Sequence, residues 1–333
     1  MRADIAIFGA GAWGTALAVH LAPRMNVVLW TRRDAQRDEL VRTCGNQRYL
    51  PGVALPEALA VSADLADAAQ SAMLVVATPI AALHELAGRL AAAGAVAPLA
   101  WLSKGFVDAP DNPAGVGLAH TALARTWPAA VGVVSGPSFA EEVARGLPTA
   151  LVVAATDAAF AAALAARLRG GALRAYDSPD IAGVEVGGAI KNVLAIAAGA
   201  SDGLSFGHNA RAALITRGLA EATRLAAALG GQPRTLMGLA GLGDLVLTCT
   251  GDLSRNRRVG LALARGEPLP QILANLGHVA EGVAAARAAR SLSQHHGIDM
   301  PIADAVYRVL YEGLPVRRAV ETLLAREPKS ESD

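Results

Sequence analysis

The run Gly9-Ala10-Gly11-Ala12-Trp13-Gly14 follows an apolar stretch, Asp4–Phe8, and opens a helical one, Ala12–Ala22. A G-x-G-x-x-G spacing alone says little, but between a strand and a helix it constrains the fold tightly. Gly9 permits the tight turn, Gly11 lets backbone approach a pyrophosphate, and Gly14 allows the helix to pack closely on the strand. The helix start then offers free N–H groups and a positive dipole end to phosphate. Such a unit needs a parallel sheet around it.

That sheet is predicted by further strand segments at Asn26–Trp30, Ala72–Ala77, Leu99–Ser103, Val131–Val134, Ala150–Ala155 and Leu173–Tyr176. Several are apolar at consecutive positions, as parallel strands covered on both faces require. Helical stretches at Ile80–Ala92, Gly115–Arg125 and Asp157–Leu168 alternate with them. The pattern is α/β, a doubly wound Rossmann-type sheet domain over residues 1–179. After Ser178-Pro179 the strand signal stops. Helical stretches at Gly183–Ala200, Ala210–Ala228, Arg257–Ala264, Ala280–His295 and Ile302–Leu310 predict an all-helical domain over residues 180–333.

A length of 333 residues agrees with two domains. Hydrophobic residues make up 53% but aromatics only 4%, so the excess is mostly alanine and reads as close-packed helices. No run of about 18 residues stays apolar without a charge, Gly or Pro, so no membrane span is expected. Arg2 before an apolar stretch imitates a leader peptide, but Asp4 and the glycine turn fit a strand better. The net charge of +1, with signs interspersed, advertises no nucleic-acid or anionic-membrane surface. Cys44 and Cys249 lie far apart without metal spacing and the histidines form no site pattern. A cytoplasmic chain with no metal is expected.

Of 30 Lys and Arg residues only Lys104, Lys191 and Lys329 are lysines. A chain that writes Arg for ordinary positive charge keeps Lys where Arg will not serve, and a Lys ammonium on burial can give and take a proton. Lys329 is in a polar tail. Lys104 and Lys191 sit in the Gly-flanked apolar settings WLSKGF and EVGGAIKNVL. Lys104 ends a strand at the carboxyl edge of the sheet, where ligands of open α/β sheets bind. Lys191 follows Gly187 and Gly188, which would leave room for a ligand against the helix, and is expected to act as a general acid or base. The glycine-rich Gly238–Gly243 delivers Asp244, which could pair with Lys191 or simply cap Leu245–Thr248.

Other motifs surround this chemistry. Gly136 after the Val131–Val134 strand allows close backbone approach, and Ser138 is expected to cap a helix with Glu141-Glu142. A plain capped turn would use the same residues. Ser254-Arg255-Asn256-Arg257-Arg258 reads as a compact phosphate site, since Arg forks match phosphate and Ser and Asn add donors. A solvated charge run is the bland alternative. Past the second strand, Arg32 and Arg33 suit the 2′-phosphate of NADP(H), which is the preferred cofactor. Asp34 follows closely enough that NAD(H) is also compatible.

Residue by residue, these motifs resemble the bacterial NAD(P)-dependent glycerol-3-phosphate dehydrogenases. The matching segments are GAGAWGTALA, SKG, SGPSFAEEVARGLPTA, GVEVGGAIKNVLAIAAG, NARAALITRGLAE, MGLAGLGDLVLTCTG, SRNRRVG and VAEG, in order from residue 5 to about 315. The resemblance implies interconversion of dihydroxyacetone phosphate and sn-glycerol 3-phosphate, feeding glycerophospholipid synthesis, in a homodimer. It implies Lys191 as proton donor and acceptor, with Lys104, Gly136, Ser138, Asp244, Ser254, Arg255 and Asn256 around the substrate. It also implies cofactor contacts at Trp13, Arg32, Lys104, Ala140, Arg255, Val279 and Glu281, with Arg33 and Tyr49 joining them. One departure is Ala12, where the family often has Ser, so a side-chain hydrogen bond to phosphate is lost there. Other lysine-dependent hydroxyacid dehydrogenases share the layout but carry Lys-x-x-His/Asn. Here Asn192 follows Lys191 directly. A non-catalytic NADP sensor would have no use for both lysines and an arginine site.

Overall fold

The structure is a computed structural model describing residues 2–276 and 280–325. Eight strands form one sheet: β1 (Ile5–Phe8), β2 (Val27–Trp30), β3 (Ala60–Ser62), β4 (Leu74–Val76), β5 (Leu99–Trp101), β6 (Val131–Ser135), β7 (Thr149–Ala155) and β8 (Leu173–Ser178). Their spatial order is β8-β7-β6-β5-β4-β1-β2-β3. Every pairing is parallel except that of β6 with β7. The order of the first six strands is the doubly wound one, and it reverses between β1 and β4. Open sheets of this order take their ligands at the carboxyl ends of the strands at that point.

Both sheet faces are covered, by α1 (Ala12–Leu21), α2 (Asp34–Thr43), α3 (Leu83–Ala92), α4 (Ala119–Leu123), α5 (Ala140–Ala144) and α6 (Ala158–Leu168). Burial on both sides explains why β1 and β4 have no polar residue: all seven of their side chains are buried. Each of the seven expected strands is present. The eighth, β3, is a three-residue, partly exposed edge and too short to show a period. Gly115–Arg125 is not one helix as expected. Gly115 takes φ +71° and closes a turn, Val116–Gly117 pairs with Val107–Asp108, and only Ala119–Leu123 is helical.

The helical half comprises α7 (Ile181–Gly203), α8 (Gly207–Ala228), α9 (Asp244–Thr250), α10 (Arg255–Ala264), α11 (Leu269–Leu276), α12 (Glu281–His296), α13 (Pro301–Tyr311) and α14 (Val316–Leu324). Asp180 starts α7 by accepting the Gly183 N–H at 2.9 Å and also holds the Gln232 N–H at 2.8 Å. By length and composition α7 could cross a membrane. Here α8, α9, α10 and α12 wrap it, and Val184, Val186, Ile190, Val193 and Leu194 have no exposed surface. Each such side chain contributes about 1.5–3 kcal/mol on burial. The closest packing is on α10, where a Cβ at Gly260 would stand 2.0 Å from the Ile196 carbonyl oxygen. Any side chain at Gly260 would push the two helices apart.

Two carboxylates fix α7 and α8 to their surroundings. Glu185, buried on α7, accepts the His120 backbone N–H at 3.2 Å and faces its ring Nδ1. Glu221 of α8 accepts the Ile302 and Ala303 N–H groups at 2.7 and 3.1 Å, ending the open first turn of α13. Burial pushes the Glu221 carboxyl up to about 7, against those two hydrogen bonds.

Candidate active site

The carboxyl edge of the sheet and the middle of α7 meet at one buried carboxylate. Asp244, 1% exposed at the first position of α9, accepts from Lys104 Nζ at 2.6 Å through Oδ2 and from Lys191 Nζ at 2.5 Å through Oδ1. Lys104 arrives on the loop after β5 and donates also to the Gly136 carbonyl at 3.3 Å. Lys191 donates also to Thr248 Oγ1 at 3.0 Å, and that hydroxyl donates to the Asp244 carbonyl at 2.6 Å. Ser135 Oγ lies 3.5 Å from Asp244 Oδ2.

Two ammonium groups share one carboxylate, so the cluster keeps excess positive charge. Burial would raise the Asp244 carboxyl, but Lys104 and then Lys191 outweigh it and hold it below its ordinary value. For Lys191, burial is the largest influence and the Lys104 charge adds to it, while Asp244 opposes both. Its ammonium is lowered to about 8. That value lets it exist in both protonation states near neutrality.

The glycines before Lys191 do not leave ligand space, contrary to expectation. A Cβ at Gly187 would stand 2.6 Å from the Ala240 carbonyl oxygen, and one at Gly188 would face Ser135 Oγ and Lys104. They let α7 touch the elements that carry the other site residues. Gly238–Gly243 is likewise no loose loop, since Leu239–Gly243 forms a π-helical turn leading straight into α9.

The Ser254–Arg258 cluster divides. Arg257 is held by Asp202 at 2.8 Å and Asp252 at 3.0 Å, and Arg258 donates to the Asp252 carbonyl, so neither belongs to a common anion site. Ser254 Oγ caps α10 through the Arg257 N–H at 3.2 Å. Asn256 donates to Asn192 Oδ1 at 2.9 Å and accepts the Gly282 N–H at 3.0 Å, joining α10, α7 and α12 beside Lys191. Arg255 is exposed in the first turn of α10. Burial raises the carboxyl of Glu281, at the start of α12, and the charges of Arg255, Lys104 and Lys191 oppose that rise.

At the other end of the crevice the glycine turn has the expected form. Gly9 takes φ +121°, and a Cβ on Gly14 would come 2.0 Å from the Gly9 carbonyl oxygen. A Cβ on Gly11 would meet no atom within 4 Å, so backbone is open to close approach there, as a bound pyrophosphate needs. Trp13 Nε1 donates to the Ser138 carbonyl at 3.1 Å, tying α1 to the loop after β6. Ser138 Oγ donates to the Gly136 carbonyl at 3.0 Å and caps nothing. Helix α5 begins at Ala140 behind Phe139, one residue too late for a Ser138 cap. Arg32 and Arg33 are exposed past β2, while Asp34 is paired with Arg37 at 2.8 Å. Tyr49 lies under the Arg48 guanidinium, 5.2 Å from its ring centre, with its N–H on Asn46 Oδ1. Val279 falls outside the described residues.

Four participants were not anticipated as site residues. Thr248 braces Lys191, Ser135 approaches Asp244, Asn192 holds Asn256, and Asn46 secures the turn by donating to the Ala10 carbonyl at 3.0 Å and Thr15 Oγ1 at 2.8 Å. Thr248 alone had a usable signal, lying one helical turn after Asp244.

A doubly wound sheet with a dinucleotide-type glycine turn, whose carboxyl edge meets a buried lysine lowered to about 8, is the architecture of a dinucleotide-dependent oxidoreductase. Residues 4–161 match the family model described as NAD-dependent glycerol-3-phosphate dehydrogenase N-terminus, and residues 180–321 match that family's C-terminus. The chain is 56% identical over 332 residues to glycerol-3-phosphate dehydrogenase [NAD(P)+] of Aromatoleum aromaticum, covering 98% of this chain and 99% of that one. It is 52% identical to the enzyme of that name from Nitrosomonas eutropha, covering 99% and 100%. The crystal structure of glycerol-3-phosphate dehydrogenase from Coxiella burnetii superposes with a TM-score of 0.91 at 42% identity, covering 98% and 99%. The chain belongs to the NAD-dependent glycerol-3-phosphate dehydrogenase family.

Proposed function

We propose that this protein interconverts dihydroxyacetone phosphate and sn-glycerol 3-phosphate, preferring NADP(H) while accepting NAD(H). It works in the cytoplasm as a homodimer and supplies glycerol 3-phosphate for glycerophospholipid synthesis. Residues 1–179 hold the dinucleotide and residues 180–333 the substrate. The observation that carries this reading is the Lys104–Asp244–Lys191 cluster, with Lys191 lowered to about 8.

The bound nicotinamide supplies or takes up a hydride at the carbonyl carbon. The chain must meet the negative charge that develops on the substrate oxygen. Lys191 donates a proton to that oxygen in ketone reduction, and as free amine accepts it from the alcohol in the reverse direction. Asp244 fixes the Lys191 ammonium, with Thr248 as its second anchor. Lys104 polarises the carbonyl and keeps the Lys191 pKa down by charge. Arg255 carries the fork for the substrate phosphate, with Gly136, Ser138, Ser254 and Asn256 bordering the same space. Gly9, Gly11 and Gly14 fit the pyrophosphate. Trp13, Tyr49, Ala140, Val279, Glu281 and the guanidinium groups of Arg32 and Arg33 complete the cofactor contacts.

The deciding experiment sets NADPH oxidation with dihydroxyacetone phosphate and with 2-oxo acids beside NADP+ reduction with sn-glycerol 3-phosphate and with 6-phosphogluconate. Turnover with dihydroxyacetone phosphate and sn-glycerol 3-phosphate alone is expected. Faster turnover with either other class would overturn the assignment.

A further inference from the structure

The chain from Lys104 to His120 touches α7 at both of its ends. At its start Lys104 crosses α7 at Gly188, where an added Cβ would stand 3.4 Å from Lys104 Cγ. The chain then leaves the sheet. Phe106 and Leu118 bury in the apolar core of the helical half, and Val116–Gly117 lies against α12. At its end His120, the second residue of α4, meets Glu185 of α7. Glu185 Oε1 accepts the His120 backbone N–H at 3.2 Å, and Oε2 faces ring Nδ1. A carboxylate only accepts, so the ring presents Nδ1 as N–H. Glu185, Gly188 and Lys191 follow one another at three-residue steps. Successive turns of α7 therefore carry the His120 contact, the Lys104 crossing and the Lys191 ammonium.

A buried carboxylate–imidazole pair adds little stability over an apolar pair of the same size, and its use is to fix one arrangement. What needs fixing here is the separation of two like charges. Lys104 comes from the sheet half and Lys191 from α7, and both reach Asp244, at 2.6 and 2.5 Å. Their repulsion works against that arrangement. We infer that Glu185 and His120 are positioning residues: their pairing ties the 104–120 chain to α7 and so holds the Lys104 ammonium on Asp244 at a set distance from Lys191. Both act through Lys104 and neither transfers a proton. The inference rests on the roles proposed above for the two lysines. Its consequence is readable in Lys191, whose ammonium Lys104 lowers and Asp244 raises. Cys249 and Glu281 are the other titratable groups within electrostatic reach, and burial raises both. An untied Lys104 would lower Lys191 less, so Lys191 would keep its proton to higher pH.

The test uses the scarcity of lysine. Protein labelled with ¹³C at lysine Cε gives signals from Lys104, Lys191 and Lys329 alone, so Lys191 can be titrated by NMR without substrate. In His120→Ala and Glu185→Ala the Lys191 midpoint should rise by about half a unit or more. kcat for dihydroxyacetone phosphate reduction near neutral pH should fall about tenfold, as misplacement of a catalytic group does. The NADPH dissociation constant should stay within about twofold. His120→Asn, whose amide N–H comes close to the place of Nδ1, should restore both the midpoint and kcat. If Glu185→Ala does not fold, His120→Ala and the isosteric Glu185→Gln carry the test, the latter with a smaller rise. An unchanged Lys191 midpoint in folded His120→Ala overturns the inference, since a merely structural contact would lower Tm and leave that midpoint alone. A loss that His120→Asn does not restore overturns it as well. A wrong substrate assignment would appear instead as a wild type that does not reduce dihydroxyacetone phosphate, with the lysine titration still shifting in the variants.

Discussion

The two ends of the ligand crevice are built in opposite ways. At the lysine end Lys104, Lys191, Asp244 and Thr248 already engage one another in a largely buried site. At the cofactor end the groups are held ready, with Arg32 and Arg33 exposed, Gly11 facing open space and the backbone of the turn braced from behind by Asn46 and Gln36. The difference suits the role proposed for each end. Proton transfer depends on a pKa, which requires a fixed low-dielectric setting before substrate arrives. Dinucleotide binding depends on donors that a ligand can reach.

If that contrast is right, substitutions at the lysine end should damage rate, and those at the cofactor end should damage affinity. The largest effect is expected at Lys191. Lys191→Ala should lower kcat by about 10²–10⁴-fold, the range of general acid–base catalysis, with the NADPH dissociation constant nearly unchanged. Lys191→Arg should not restore it, because Arg stays protonated. A near-normal kcat in the Arg variant would show that charge alone suffices there. The wild-type pH profile carries the same sign. Below about 8 the ammonium is the proton donor, so ketone reduction should fall as pH rises through that value, and alcohol oxidation should rise through it.

Arg255 comes next. Arg255→Lys exchanges a fork for a point charge and should reduce kcat/KM for dihydroxyacetone phosphate by about 10- to 100-fold, the loss of one charge-assisted hydrogen bond. Unphosphorylated dihydroxyacetone is the control. Equal losses on both substrates would remove Arg255 from phosphate recognition. At the cofactor end, Arg32→Asp with Arg33→Asp should raise KM for NADPH roughly tenfold and leave that for NADH similar or lower. A fixed NADPH/NADH ratio would break the contrast from that side.

The smallest effect compares two buried carboxylates. Asp244 is held low by two ammonium groups, whereas burial carries Glu221 up to about 7. Between about 4.5 and 7 the unfolded Glu221 ionises while the folded one keeps its proton, so its contribution to stability is present at low pH and lost as pH rises through that window. Glu221→Gln should flatten that part of the Tm-versus-pH curve by a few degrees. An unchanged curve would mean that the Ile302 and Ala303 N–H groups already stabilise the anion fully.

The glycine turn, all seven long-signal strands and the lysine pair were legible because each rests on local spacing or on a residue type the composition disfavours. Asp244 was legible as the partner of Lys191 but not as the shared partner of Lys104, since the second contact spans 140 positions and depends on β5 ending beside α9. The arginine run misled for a related reason. A cap and four consecutive helical residues point in different directions, so Arg257 reaches Asp202 while Arg255 is exposed. Ser138 misled because cap and near-cap positions have the same local composition, and a one-residue shift of the α5 start decides between them.

Helix α7 also bears on how the chain comes to be folded. As it emerges during synthesis, the sheet before it can cover only one side, around Ile181 and Val184. The helices that close over Val193, Leu194 and Ile196 are encoded later, the last of them, α13, ending at Tyr311. For about a hundred residues of elongation, from Gly203 to Tyr311, a helix apolar enough to enter a bilayer is only partly covered. Lys191 and Glu185 then interrupt its apolar surface with charge, as gatekeepers against insertion or aggregation. A ribosome-bound chain stalled before residue 255 should accordingly bind hydrophobic-surface dyes and chaperones, and one stalled well past residue 311 should not.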